Sequence, residues 1–139
     1  MYIRNISIKN FKCYKDVIVN FDPHFNLIIG GNNAGKSTIL EALRLWQLAF
    51  SRFLKDRTNQ QSSSFYANQY FSFIIEDLSF LRISEFKSLF FNNDTTKHIE
   101  ISVCFENNKT KVDLPIIFTL TTEERNLRFE LCRTSKIRN

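Results

Sequence analysis

Residues Gly30-Gly31-Asn32-Asn33-Ala34-Gly35-Lys36-Ser37 fit the pattern G-x-x-x-x-G-K-[ST], and their types suit the cradling of a polyphosphate. Several negative charges at close range demand many donors. A loop of small residues lets successive backbone N–H groups turn inward, and a following helix adds its own unpaired N–H groups and positive dipole end. Gly30 and Gly35 permit backbone angles and close approaches that a side chain would block. Lys36 supplies a cation for the β- and γ-phosphates, which makes it the candidate catalytic residue. The Ser37 hydroxyl is the candidate Mg²⁺ ligand.

Such a loop works only between a strand and a helix. The apolar run Phe25-Asn26-Leu27-Ile28-Ile29 before it reads as a buried strand. After it, Ile39, Leu40, Leu43, Trp46, Phe50, Phe53 and Leu54 fall on one helical stripe, predicting a helix from Ser37 to near Lys55. The order is the required one.

Upstream, residues 2–11 and 15–21 predict two strands: Ile6 and Ile8 alternate with Ser7 and Lys9, and Val17, Val19 and Phe21 with Ile18 and Asn20. Asp22-Pro23 turns the chain into the loop's strand. Residues 56–72 are Ser-, Gln- and Asn-rich and read as a surface loop. Ser84–Phe91 predicts a short helix with Ser84 as its N-cap. The phenylalanines here read as core, not as a base-stacking platform. The last forty residues predict a three-stranded antiparallel meander. Its apolar rows are Ile99, Ile101, Val103 and Phe105, then Val112 to Leu120, then Leu127, Phe129 and Leu131. Pro115 lacks a ladder donor, so its strand is expected to be an edge or to bulge there.

At 139 residues, with 43% hydrophobic and 24% charged residues, the chain has the composition of one soluble domain. The net charge of +5 biases it mildly toward anionic partners. Part of that charge is Arg125, Arg128, Arg133, Lys136 and Arg138, which suit a solvated face or the surround of a nucleotide as well as DNA. Cys13, Cys104 and Cys132 are odd in number and widely spaced, which suits a reducing cytoplasm, with each thiol an apolar filler. His24 and His98 are isolated, so no zinc cluster is expected. Neither a signal-peptide core nor a membrane-length apolar run occurs, so no membrane partner is expected.

The stretch IRNISIKNFKCYKDVIVNF…FNLIIGGNNAGKSTILEAL resembles the N-terminal lobe of the SMC/RecF-like ABC ATPases. That group includes the SMC proteins, double-strand-break repair ATPases and OLD-type (overcoming lysogenisation defect) nucleases. The shared features are a strand ending in N-F-[KR], a second strand, an apolar N-L-I-I-G run, and G-x-N-[NG]-[AS]-G-K-S-T followed by L-E-A-[LI]. They cover residues 1–45, and Asn33-Ala34 leans toward the OLD-type branch. The resemblance implies an α/β fold: a partial P-loop NTPase, lobe I of an ABC ATPase, with N-terminal strands, the Walker A strand–loop–helix and a C-terminal antiparallel meander. It implies ATP and Mg²⁺ as ligands, Lys12 beside the nucleotide, and Asn32 to Thr38 wrapped around the phosphates. It also implies a second ATPase lobe or subunit as partner, an ATP-dependent head dimer, and DNA through the complete assembly.

Phe71-Ser72-Phe73-Ile74-Ile75-Glu76-Asp77 imitates a Walker B strand, but its acidic pair is reversed and lies only some forty residues beyond Lys36. A strand end or amphipathic helix is the better reading. Glycine is exhausted after residues 30, 31 and 35, so no Gly-rich signature helix can occur in this chain. The expectation is a single incomplete ATPase domain. Residues 1–55 hold the strands, loop and helix, 56–97 a variable segment, and 98–133 the meander. Two functions remain open. One is the ATP-binding lobe of an ATPase for DNA repair, DNA processing or phage defence. The other is a nucleotide-binding or interaction module without turnover.

Overall fold

The computed structural model describes residues 2–22, 34–59, 71–132 and 137–138. Alternating side chains produce the two N-terminal strands and the meander that the sequence predicts, whereas residues 71–72, expected in a surface loop, fall in a short strand. Strand β1 (Tyr2–Phe11) and β2 (Tyr14–Asn20) form a hairpin whose turn is Lys12-Cys13, with Phe11 opposite Tyr14. The helix α1 runs from Ala34 to Asn59, starting three residues before and ending four residues after the predicted limits. It is followed by β3 (Phe71–Phe73), β4 (Ile99–Glu106), β5 (Lys111–Leu120), β6 (Leu127–Leu131) and β7 (Ile137–Arg138). The predicted apolar strand at 25–29 lies outside the described residues.

The described strands make one sheet in the order β2-β1-β4-β5-β6-β3, with β7 beside β5, and every pairing is antiparallel. The meander β4-β5-β6 forms as predicted. Its attachment to β1, with Ile6 opposite Val103 and Ile8 opposite Ile101, joins the two ends of the sequence into one surface. Pro115 sits where β6 has just ended: Ile116 is the last β5 residue paired with β6, and the Pro115 carbonyl accepts a bond from the Cys132 N–H at 2.9 Å. The missing donor therefore faces a gap in the ladder.

One face of the sheet carries Ile6, Ile8, Ile99, Ile101, Val103, Ile116 and Phe118, all buried, and α1 lies across it. The helix buries Ala42, Leu45, Trp46 and Ala49 there. The predicted stripe needs correction, because Leu40 and Leu54 stand 56% and 50% exposed. Small Ala42 and Ala49 lie at the contact instead, letting the helix approach closely while Trp46 reaches over. The Trp46 indole donates to the Leu114 carbonyl at 2.8 Å and stacks on Phe50 at 4.9 Å. Toward the C-terminal end of α1, Phe53 meets Phe71 and Phe129 edge-on, and Phe73 stacks on Phe129 at 4.4 Å. In the Ser84–Phe91 stretch, Phe86 and Phe90 are buried in the core, as expected.

Between β3 and β4 the chain makes short 3₁₀ turns at Ile75–Leu81, Phe86–Leu89 and Phe91–Asn93. Glu85, not Ser84, stands at the N-cap of the second, with no side-chain cap bond. Glu76 and Asp77 fall in the first turn of the 3₁₀ segment, and Asp77 accepts the Ile74 N–H at 2.9 Å. Cys104 is a buried filler, its thiol pushed up to about 11 by burial and by Asp113. Cys13 departs from that expectation and lies exposed. No helix among the described residues is long and apolar enough to cross a membrane.

Candidate nucleotide cleft

The β1–β2 hairpin tip and the start of α1 come together. The Asn10-Phe11-Lys12 strand ending has a physical basis, because Asn10 and Lys12 both adopt left-handed backbone angles, φ 60° and 51°. Asparagine tolerates that region better than most residues. The Asn10 amide donates to the Lys97 carbonyl at 2.8 Å, Phe11 is fully buried, and the Lys12 N–H donates to the Leu89 carbonyl at 2.8 Å. The tip is thereby tied to the segment before β4 at both of its ends.

Of the predicted site residues, Gly30, Gly31, Asn32 and Asn33 lie outside the described residues. Ala34 opens α1, and Gly35, Lys36, Ser37 and Thr38 occupy its first turns. No acidic residue sits in that first turn, so the positive end of the helix dipole is not compensated there. Gly35 is glycine for approach, not for a positive φ. Its carbonyl accepts the Tyr14 hydroxyl at 3.0 Å, and a Cβ at Gly35 would come within 2.5 Å of that oxygen. Burial, and then the Cys13 thiol, raise the Tyr14 phenol above its ordinary range, so it stays a protonated donor.

An open cleft of about 620 Å³ runs from this helix start to the 3₁₀ segment, bordered by Lys12, Ser37, Thr38, Glu41, Asn92 and Asn93. Ser37 is exposed to it, whereas Thr38 is 3% exposed. The Lys12 ammonium reaches across to the Glu41 carboxylate at 2.6 Å. Lys12 thus borders the same cleft as Ser37 and Thr38, but its charge is shared with a carboxylate to which the sequence assigned no role. Glu41 was visible as the acidic residue of L-E-A-L, four residues after Ser37. Tyr14 and the Asn92-Asn93 pair carried no comparable signal.

An AAA ATPase domain model matches residues 1–138. The chain belongs to that family. As an AAA ATPase domain it has relatives among proteins described as RecF, structural maintenance of chromosomes and ATP/GTP phosphatase. A DNA replication and repair protein RecF of Lactobacillus johnsonii is 42% identical over 59 residues, covering 42% of this chain and 15% of the relative. An ATP/GTP phosphatase of Helicobacter pylori is 32% identical over 139 residues, 96% of this chain and 33% of the relative. Structural maintenance of chromosomes protein 3 of Saccharomyces cerevisiae is 50% identical over 46 residues, 32% of this chain and 4% of the relative. The chain spans a third or less of the length of these curated relatives.

Proposed function

We propose that this AAA ATPase domain binds ATP–Mg²⁺ at residues 30–38, as lobe I of an SMC/RecF-like ABC ATPase of the OLD-type branch, to which Asn33-Ala34 leans. The observation that carries the reading is the placement of Gly35–Thr38. The second half of a complete phosphate-loop pattern forms the first turns of a 26-residue helix, beside a cleft that also holds Lys12.

The residues fit the ligand. Backbone N–H groups at the start of a helix have no acceptor four residues earlier and point toward an anion. Lys36 neutralises charge on the β- and γ-phosphates, and Lys12 adds a second cation from the hairpin. The exposed Ser37 hydroxyl suits a hard divalent ion, and Mg²⁺ when bound neutralises phosphate charge. Second-lobe docking, a nucleotide-dependent head dimer, DNA engagement and a cytoplasmic location belong to this reading of the whole protein. A binding module without turnover is the second reading, favoured for these 139 residues taken alone by the absence of any glycine after Gly35.

The deciding experiment is calorimetric titration of ATP–Mg²⁺ into the native chain and Lys36→Ala, with folding checked by circular dichroism. Loss of a charge-assisted contact of about 1.5–3 kcal/mol weakens binding roughly ten- to a hundredfold. Equal affinity in the two overturns the assigned role of Lys36.

A further inference from the structure

On the basis of that nucleotide reading, we infer that Glu41 is a positioning residue for Lys12, holding its ammonium on the wall of the phosphate cleft. Lys12 starts from a backbone fixed by its own N–H bond to Leu89, but its four-carbon stem is free to swing into water. The Glu41 carboxylate stops it. The Nζ–Oε2 distance is 2.6 Å, and the side chains are 22% and 21% exposed.

Position on the helix gives the pair its meaning. Glu41 follows Ser37 by four residues, so both project from the same face of α1, and both border the cleft with Thr38. A carboxylate on the wall of an anion site repels the ligand unless a cation covers it. Lys12 covers it. An ammonium has three donors, and the bond to Oε2 uses one, leaving others for a phosphate oxygen in the cleft. Glu41 therefore acts in two opposed ways. Its charge disfavours the triphosphate, and its hold on Lys12 favours it by removing the freedom that phosphate binding would otherwise have to freeze.

These two effects separate in a double-mutant cycle. ATP–Mg²⁺ affinity is measured by calorimetry for the native full chain, Glu41→Gln, Lys12→Met and the double variant, each shown to be folded. With Lys12 present, Glu41→Gln weakens binding roughly three- to tenfold, because the anchor is lost. With Lys12→Met, the same change strengthens binding, because only the repulsion is lost. A merely structural ion pair gives no such reversal. The same sign in both backgrounds, or no change in either, overturns the assignment. Failure of the native chain to bind ATP–Mg²⁺ overturns the nucleotide reading and this one together. Binding that depends on Lys36 without the reversal overturns this one alone. Should a neutral variant fail to fold, Glu41→Asp keeps the charge but shortens the reach. It loses affinity if Glu41 positions Lys12, and unaltered affinity overturns the proposal.

Discussion

At the scale of single residues, the phosphate-loop pattern includes a position whose residue type is set by the fold. That position is Gly35. The Tyr14 hydroxyl fills the space where its Cβ would stand, and that hydroxyl also binds the Gly35 carbonyl. Gly35→Ala is expected to cost about 1–3 kcal/mol, since a well-packed site must shift to admit a methyl group. Tyr14→Phe in the same chain removes the clashing oxygen and leaves the ring carbon Cζ 3.4 Å from the added methyl, an ordinary contact. The double variant should recover part of the loss in urea unfolding. Purely additive losses would show that Tyr14 does not set the requirement for glycine. The sequence showed that Gly35 belongs to a pattern, but not that a tyrosine twenty-one residues earlier demands it. That demand depends on the hairpin tip reaching the helix, a contact with no local signature.

Among the elements, periodicity was legible and partnership was not. β1, β2 and the meander announce themselves by alternation, because a half-buried strand needs apolar residues at every second position. Helix α1 was legible as a helix, and most of its predicted stripe, Ile39, Leu43, Trp46, Phe50 and Phe53, packs on the core. At the edges of that stripe Leu40 and Leu54 stay exposed, whereas small Ala42 and Ala49 lie fully buried at the closest contact. The 3₁₀ turns between β3 and β4 were less legible still, because they rest on left-handed residues, Arg82, Asn92 and Asn93. Trp46 tests how α1 is held. It buries its indole, donates to Leu114 and stacks on Phe50. Trp46→Ala should cost about 3–5 kcal/mol. Trp46→Phe keeps most of the apolar contact but forfeits the hydrogen bond, and should cost about 1–2 kcal/mol. Both are read from the urea midpoint by circular dichroism with the slope unchanged. A loss below about 1 kcal/mol for Trp46→Ala would mean that α1 docks mainly through other residues.

For the molecule as a whole, binding and turnover part company. Phosphoryl transfer needs a positioned water and stabilisation of the transferring group in addition to a phosphate cradle. Residues 30–38 supply the cradle of the proposed site. The acidic pair that superficially resembles a Walker B ending does other work: Asp77 closes a 3₁₀ turn through the Ile74 N–H, and neither it nor Glu76 borders the described cleft. No glycine follows Gly35 within these 139 residues, so they contain no Gly-rich signature loop. A general base contributes roughly 10²–10⁴-fold, and preorganised donors opposite the γ-phosphate add to that. The chain alone is therefore expected to bind ATP–Mg²⁺ yet release phosphate orders of magnitude below the roughly 1–10³ s⁻¹ usual for enzymes. Phosphate release at saturating ATP–Mg²⁺, with Lys36→Ala as the control for contaminating activity, measures this. A Lys36-dependent rate near about one per second would show that the chain carries its own base, and Glu76-Asp77 would be the first residues to substitute.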